Sequence, residues 1–482
     1  MNSHQGNEKL FFLQVETVCT HPAPTCPPDS LITHAASLMR EQDATVIFAH
    51  KQGHPLGCVS VDDLRNLVAE SRPLEQLTVE EVMGEVVTVQ RGDYVFEAIY
   101  RMARHNCTHL AVVDDEGQLF GVVSDSNLLR FQTKTPLYTS REIEAAQSIE
   151  ALHDINLRML EIVEHATRTG ANIKALAQLI SHLNDTFTQR VIALLNSQEG
   201  LSLPEGAAYL ALGSEGRNEQ TLRTDQDSAI IYRDDLPKNS LAELERFSER
   251  LVLALEAVGV PRCPGNTMVS NPAWRKSLSG WQERIDHWIT VPKPEHMVDF
   301  GMFQDFRTLH GEPRLELHLR GHLHASVKRH KLFLPYMARH ISHFPPPLGL
   351  FGRFRTERRG ELRGTIDLKK AGIFAITEGV SLLALEAGFS GGSTWKKMGR
   401  LRDIGILTET SYKVLHAAFS ELSRLRLHHQ LLALRANKQP ANNIDPTLLS
   451  RREQDRLREA LRGVNHLLRM IRDRYRLDLI SR

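Results

Sequence analysis

Ala207-Ala-Tyr-Leu-Ala-Leu-Gly-Ser-Glu-Gly-Arg-Asn-Glu-Gln-Thr-Leu-Arg-Thr-Asp-Gln-Asp-Ser-Ala-Ile-Ile-Tyr232 decides how the middle of this 482-residue chain folds. It opens with a short apolar run, Ala207 to Leu212, turns at Gly213-Ser214, and reaches a second apolar run, Ser228 to Tyr232. Both runs have the length and composition of buried strands, so the stretch predicts strand, turn, short helix, strand. Asp225 and Asp227 stand two apart where the second strand begins, a spacing that points both side chains the same way. Two converging carboxylates repel unless a cation lies between them, and hard oxygen donors suit Mg2+ or Mn2+. Gly213-Ser214 starts a turn whose backbone N–H groups can face an anion. Metal-holding carboxylates beside a phosphate cradle are what a nucleoside triphosphate (NTP) requires. The competing reading is a surface turn of acidic residues.

Further upstream the chain repeats itself. Gly57-Cys-Val-Ser-Val-Asp-Asp-Leu-Arg-Asn-Leu-Val68 returns 64 residues later as Gly121-Val-Val-Ser-Asp-Ser-Asn-Leu-Leu-Arg-Phe-Gln132. Each copy follows a helical segment and a short apolar strand: Leu31–Glu41 with Ala44–Ala49, then Val95–His105 with His109–Val113. Turn residues 51–55 and 114–118 lead to a second strand, so each unit reads helix, strand, turn, strand, helix. These residues, from about Val15 to Gln132, resemble a tandem pair of CBS (cystathionine-β-synthase-type) domains. The resemblance implies a pseudo-twofold α/β module that binds an adenosine ligand such as AMP or ATP and forms homodimers. It also implies that a Ser/Thr and an Asp three residues later hold ligand phosphate and ribose. Ser60 and Asp63 match that pattern in the first copy, whereas the second has Ser124 but Asn127. An amide cannot accept two ribose hydroxyls as a carboxylate does, so the site using Asp63 is the expected one. Asp63 could instead serve only to cap the helix Leu64–Ala69.

The ordered set Gly213-Ser214, Asp225-x-Asp227 resembles the polymerase-β-like nucleotidyltransferase superfamily. More narrowly, residues 213–227 look like the CBS-containing DUF294-type proteins related to the PII-protein uridylyltransferase. The later stretches Cys263-Pro-Gly-Asn-Thr-Met-Val-Ser-Asn-Pro-Ala-Trp274 and Phe303-Gln-Asp-Phe-Arg-Thr-Leu-His-Gly311 fit as well, so that the likeness runs from about Leu152 to Gln430. It implies that Asp225 and Asp227 bind the metal, that Gly213 and Ser214 take the β- and γ-phosphates, that Arg217 neutralises phosphate charge, and that Glu219 orients Arg217. Members need a third carboxylate on a later strand, for which Asp305 and Asp299 are the candidates. The implied reaction is in-line attack of an acceptor hydroxyl on the α-phosphorus, with pyrophosphate leaving.

The remainder supplies context. Residues 140–197 carry apolar positions at helical spacing, interrupted at Gly170, and read as two linking helices. The carboxy-terminal third reads as helical, with helices over Pro335–His343, Ser411–Arg435 and Pro446–Asp473 and a loop over Asn437–Asp445. Lys369 and Lys370, in a segment resembling the one after the catalytic domain in adenylyl- and uridylyltransferases, could touch phosphates or remain salt-linked on the surface. His310, His318, His322, His324 and His330 are interleaved with arginines and lack the H-E-x-x-H order, so they read as a basic helix face rather than a metal cluster. His153-Asp154 lacks the rest of a phosphohydrolase motif set, and the reverse, deuridylylating reaction is not expected.

A 41% apolar and 24% charged composition is that of an ordinary globular protein. Met1–Lys9 lacks the basic-then-apolar order of a secretory signal, no apolar run is long enough to span a membrane, and five scattered cysteines fit a reducing cytoplasm. The net charge of +1 hides an asymmetry: from Pro313 onward there are 32 Lys and Arg against 15 Asp and Glu. That excess suits an acidic partner, a phosphate-rich ligand, or an acidic neighbouring domain. Few aromatics lie among these arginines, so a stacking platform for nucleic acid is not expected.

The expectation is an α+β multidomain chain: a tail at 1–14, a CBS pair at 15–135 (15–72 and 78–135), a helical linker at 136–197, a nucleotidyltransferase α/β domain at 198–312, and a helical domain at 313–482. Its expected function is Mg2+-dependent transfer of a nucleotide to a PII-like or other protein or to a small acceptor, under control of the CBS pair. Two alternatives stay open: a non-enzymatic adenine-nucleotide sensor with a degenerate transferase domain, and nucleotidyl transfer to RNA.

Overall fold

The computed structural model describes residues 14–129, 136–168, 171–222, 225–349, 352–360, 362–436 and 442–479. The expected tail at 1–14 (Gln14 apart), the repeat residues 130–132, Gly170, Arg223, Thr224, and residues 437–441 of the expected loop lie outside them. Two compact units emerge: one runs through Glu142 and includes His165–Ala175, the other comprises Ile143–Glu164 and everything from Leu176 onward.

The first unit holds the repeat as two three-stranded sheets. In the first, β1 (Thr25–Cys26) runs parallel to β2 (Val46–Lys51), which pairs antiparallel with β3 (His54–Ser60). In the second, β4 (Thr88–Gln90), β5 (His109–Val113) and β6 (Leu119–Ser124) repeat that order and sense. Helices α1 (Ile32–Glu41), α2 (Val61–Ala69), α3 (Val79–Val82), α4 (Val95–His105) and α5 (Asp125–Leu129) complete the copies. Val46, Phe48, Ala111 and Val122 form one apolar cluster shared by both sheets, while Ile32, Met39, Ile47, Val59 and their neighbours form a larger core within the first copy.

Between the repeat and the central sheet the structure has three helices where two were expected: α6 (Pro136–Ala145), α7 (Ile149–Arg168) and α8 (Ile173–Glu199). The extra break has a local cause. Ser148 Oγ accepts the Ala151 amide at 3.2 Å, an N-cap that starts α7 anew.

The second unit is built on a four-stranded sheet in the order β10-β7-β8-β9. Its strands are β7 (Ala207–Ala211), β8 (Ser228–Tyr232), β9 (Arg275–Ser277) and β10 (Arg307–Gly311). Central β7 is buried along its whole length, which explains its unbroken apolar sequence. A four-residue turn of helix, α9 (Gly213–Gly216), follows β7, and α10 (Lys238–Val258) follows β8. Helices α11 (Leu278–Thr290), α12 (Pro294–Phe303) and α13 (Pro313–Arg329) flank the later strands. An aromatic core packs here, with Trp281 stacked on Phe303 at 4.4 Å between ring centroids and close to Trp274 and Trp288. The Trp281 indole N–H donates to Ile230 O in β8 at 2.8 Å, so the sheet and the aromatic core are fastened at one point.

The carboxy-terminal third is helical as expected: α14 (Phe333–Ser342), α15 (Phe374–Glu386), α16 (Thr394–Asp403), α17 (Glu409–Arg435) and α18 (Arg451–Arg474). A π-helical turn, Lys369–Ile373, leads into α15, and β11 (Ile366–Asp367) pairs with β12 (Asn443–Ile444) inside the expected loop. Among the described residues no helix is long and apolar enough to cross a membrane. Trp281→Ala should lower the unfolding free energy of the second unit by about 3–5 kcal/mol, read as an earlier urea midpoint by circular dichroism.

Candidate functional site

Asp225 and Asp227 face one way because Gln226 between them faces the other. Gln226 Nε2 donates to Val252 O at 3.1 Å and Val260 O at 2.9 Å, anchoring the segment to α10 and the loop after it. The Gln226 amide donates to Pro261 O, and Gln226 pairs in parallel with Arg262, which carries Cys263 alongside Asp227. Ligand atoms of Asp225, Asp227 and Cys263 all lie within 4.8 Å of one another.

Asp227 is 9% exposed, and among the described residues its buried Oδ1 has no hydrogen-bond partner. Burial and then the neighbouring Asp225 push its carboxyl up to about 6, while the Cys263 thiol, Lys369 and Arg217 oppose the shift. An ionised carboxylate oxygen without a donor is costly in such a place, and a divalent cation is the group that would satisfy it. The donor set therefore fits a metal.

The turn beside it is shaped by two glycines. Gly213 adopts φ +53°, and a Cβ there would stand 3.0 Å from Asp227 Oδ2 and 3.1 Å from Met302 Cε. A Cβ on Gly216 would meet Asp305 O at 2.4 Å. Gly213 thus keeps clear the space over the carboxylate, and Gly216 lets the turn close against the chain before β10. Ser214, partly buried, sits in this turn.

Two cations of the helical region act electrostatically on the carboxylates. Lys369, exposed in the π-helical turn, lies close enough for its charge to act on Asp227. Arg426 of α17 is held by its Nε bond to Asn442 Oδ1 at 2.7 Å; burial pulls its guanidinium down to about 10, with Asp225 and Asp367 working against that. Lys370 points elsewhere, 3.8 Å from Asp367.

Arg217, Glu219 and Asp305 belong to a buried network rather than to the open face of the site. Arg217 Nε donates to Glu219 Oε2 at 3.0 Å, as expected for a glutamate that orients it, and its other end lies 3.7 Å from Asp305. Glu219 also accepts from the Thr394 amide and from Thr394 Oγ1. Asp305, expected as a third catalytic carboxylate, is 1% exposed and takes a 2.5 Å bond from Lys397 Nζ, with further bonds from Ser381 and Gly391. Although burial opposes it, Lys397 and Arg217 hold Asp305 below the usual carboxylate range. Its charge is neutralised already, so it suits fastening the α15–α16 region to the sheet better than metal binding. Asp299, the other candidate, pairs with Arg284 at 3.3 Å, partly exposed.

In the repeat, Ser60 is the N-cap of α2 and Asp63 its reciprocal partner: Asp63 N donates to Ser60 Oγ at 3.2 Å and Ser60 N donates to Asp63 Oδ2 at 2.8 Å. Asp63 is thus the third residue of a capping box, not the cap itself. Ser124 and Asn127 form the same arrangement, with bonds of 3.0 and 3.1 Å. Among the basic-face histidines, His322 bonds Asp286 at 3.0 Å and His324 bonds Ser390 at 3.1 Å. Among the described residues they form no metal-ligating group. His153 bonds Val258 O, a packing role.

A family model described as "Putative nucleotidyltransferase DUF294" matches residues 158–295, and one described as "Putative nucleotidyltransferase substrate binding domain" matches 331–475. The CBS domain model matches twice, at 15–70 and 79–134. The chain is a CBS-domain protein of the DUF294 nucleotidyltransferase type. Among curated proteins, the homoserine O-acetyltransferase of Methanococcus vannielii is 28% identical over 116 residues, 24% of each chain. An uncharacterized protein of Methanopyrus kandleri is 25% identical over 123 residues, 25% of this chain and 63% of its own. Both alignments span less than two thirds of the relative. A solved CBS domain protein from Pyrobaculum aerophilum, complexed with AMP, is 24% identical, covers 25% of this chain and 93% of its own, and has a TM-score of 0.24. An uncharacterized conserved protein from Pyrococcus horikoshii is 21% identical over 26% of this chain and 95% of its own, with a TM-score of 0.24.

Reading the sequence missed Cys263, Lys397 and Arg426 as members of the site and its support. Only Cys263 carried a signal, since it heads a family-like stretch; the other two reach the sheet from far along the chain.

Two outcomes follow from these surroundings. Lys397→Met leaves Asp305 short of its closest counter-charge and should cost about 3–5 kcal/mol in urea unfolding, with Lys397→Met/Asp305→Leu recovering most of it. For Asp227, a folded carboxyl titrating at about 6 against an unfolded one at about 3.9 binds more protons when folded, so its contribution is lost as pH rises through that window. In chelator at pH 8, Asp227→Asn should therefore be more stable than the parent by on the order of 2 kcal/mol, and the gap should close at pH 4.

Proposed function

We propose that the chain is a Mg2+- or Mn2+-dependent nucleotidyltransferase that moves a nucleoside monophosphate from an NTP to a hydroxyl on a protein or small acceptor. The carrying observation is the Asp225–Asp227 pair at the head of β8, with a buried carboxylate oxygen that has no partner among the described residues. Asp225 and Asp227 would hold the metal, whose part when bound is to draw charge from the phosphate oxygens. Gly213 and Ser214 supply an open turn against which the β- and γ-phosphates can lie. Lys369 and Arg426 bring positive charge to the same face, a better-supported source of phosphate neutralisation than Arg217, which the network already engages. The acceptor hydroxyl attacks the α-phosphorus in line, the bond to pyrophosphate breaks, and pyrophosphate leaves. Positioning and fixed charge provide most of the rate.

The resemblance to the PII-protein uridylyltransferase supports UMP transfer to a PII-like regulator as the first chemistry to try. The CBS pair, with Ser60, Asp63 and Ser124 at its helix starts, would take AMP or ATP and set the transferase's activity, in a cytoplasmic homodimer. Asp63 keeps one carboxylate oxygen outside its capping box, which supports a role in ribose binding alongside the cap.

Each α-phosphate-radiolabelled NTP is incubated with the protein, Mg2+ and cell lysate. One of the four should label an acceptor band, and Asp227→Asn should reduce the label at least about 100-fold, the scale of losing a principal electrostatic contact. Since that variant is expected to fold at least as stably, the loss cannot come from unfolding. An unlabelled lysate with all four nucleotides, while AMP still binds the chain, would favour the sensor without enzyme activity.

A further inference from the structure

The third position beside Asp225 and Asp227 is filled by sulfur. Cys263 is partly buried, its Sγ belongs to the same donor group within 4.8 Å, and among the described residues no other group of three potential ligands stands as close. Local structure fixes it there. Gln226 pairs with Arg262, the Asn266 amide closes a turn on Cys263 O, and the Cys263 amide points at Met268 Sδ at 3.4 Å. Among the described residues Asp227 Oδ1 is buried without a hydrogen-bond partner, which points to something cationic beside it. Asp305 cannot be that group's third donor, because Lys397 and Arg217 already occupy it.

Donor chemistry then bears on the metal. Mg2+ takes hard oxygen and gains nothing from a thiol, whereas thiolate strongly favours Zn2+ and its spectroscopic substitute Co2+. Three protein ligands with a fourth position open to water or substrate is the arrangement of a catalytic rather than a structural zinc site. We infer that Asp225, Asp227 and Cys263 form a three-ligand site that binds a thiophilic divalent cation, Zn2+ or Co2+, in preference to Mg2+. On binding, the Cys263 S–H bond breaks, the metal–sulfur bond forms, and the proton goes to solvent. This rests on the metal reading of the Asp225–Asp227 pair, though not on nucleotide transfer.

The full chain, stripped with chelator and free of nucleotide, is titrated with Co2+. A thiolate-to-cobalt charge-transfer band should grow in the near ultraviolet, be lost in Cys263→Ser, and shift to at least about tenfold higher Co2+ in Asp227→Asn. In the parent protein, Zn2+ should slow alkylation of Cys263, followed by peptide mass spectrometry, at least tenfold while excess Mg2+ does not; this arm needs no variant to fold. A missing band, a band that survives Cys263→Ser, or equal protection by Mg2+ and Zn2+ would overturn the inference. A band without any nucleotide transfer would sink the transferase reading and leave this one standing. Transfer with Mg2+ but no band would do the opposite.

Discussion

A lysine ammonium removed from water must meet a carboxylate or lose its charge, and Lys397 meets Asp305 at 2.5 Å with both side chains 1% exposed. That pair is the centre of a closed set: Arg217 and Glu219 on the loop after the glycine turn, Asp305 just before β10, and Lys397 and Thr394 on α16. Cations and anions there are matched two against two. Glu378 is the remaining acid, pushed up to about 7 by burial and bonded by Gln304 Nε2 at 2.8 Å. Each member is expensive to bury alone and tolerable only in the company of the others. The loops that frame the carboxylate pair are therefore held in position by distant helices, and the helical region acts as more than a cover.

The candidate site obeys the opposite rule. Among the described residues Asp225 and Asp227 are brought together without an ion pair of their own, and an oxygen of Asp227 has no hydrogen-bond partner. The fold balances its buried charges in the network and leaves the carboxylates at the head of β8 less completely balanced. Lys369 acts electrostatically on Asp227, and Arg426 interacts in the same way with Asp225.

Much of this was legible along the chain. The strand pair 207–211 and 228–232, the glycine turn, and the alternation that sends Asp225 and Asp227 one way and Gln226 the other are local consequences of residue type and period two. So were the two CBS copies, whose helix starts repeat the same capping chemistry at Ser60 and Ser124. Glu219 was read as the partner of Arg217, two residues away, and it is. The linker was misread by one helix because Ser148 restarts what an apolar stripe alone suggests is continuous.

What the sequence by itself determined, then, is everything governed by neighbours within a strand, a turn or one helical repeat: the element order, the paired carboxylates and the repeat. Tertiary structure alone decided the rest. Asp305 lies on a segment that reads as catalytic, yet its fate was set by Lys397, 92 residues later, and by an amide in the loop before α16. Cys263 joins the carboxylates only because a parallel pairing lays residue 262 against residue 226. A charge's role depends on which opposite charge reaches it first in a place without water, and that is a matter of packing between segments far apart in the chain.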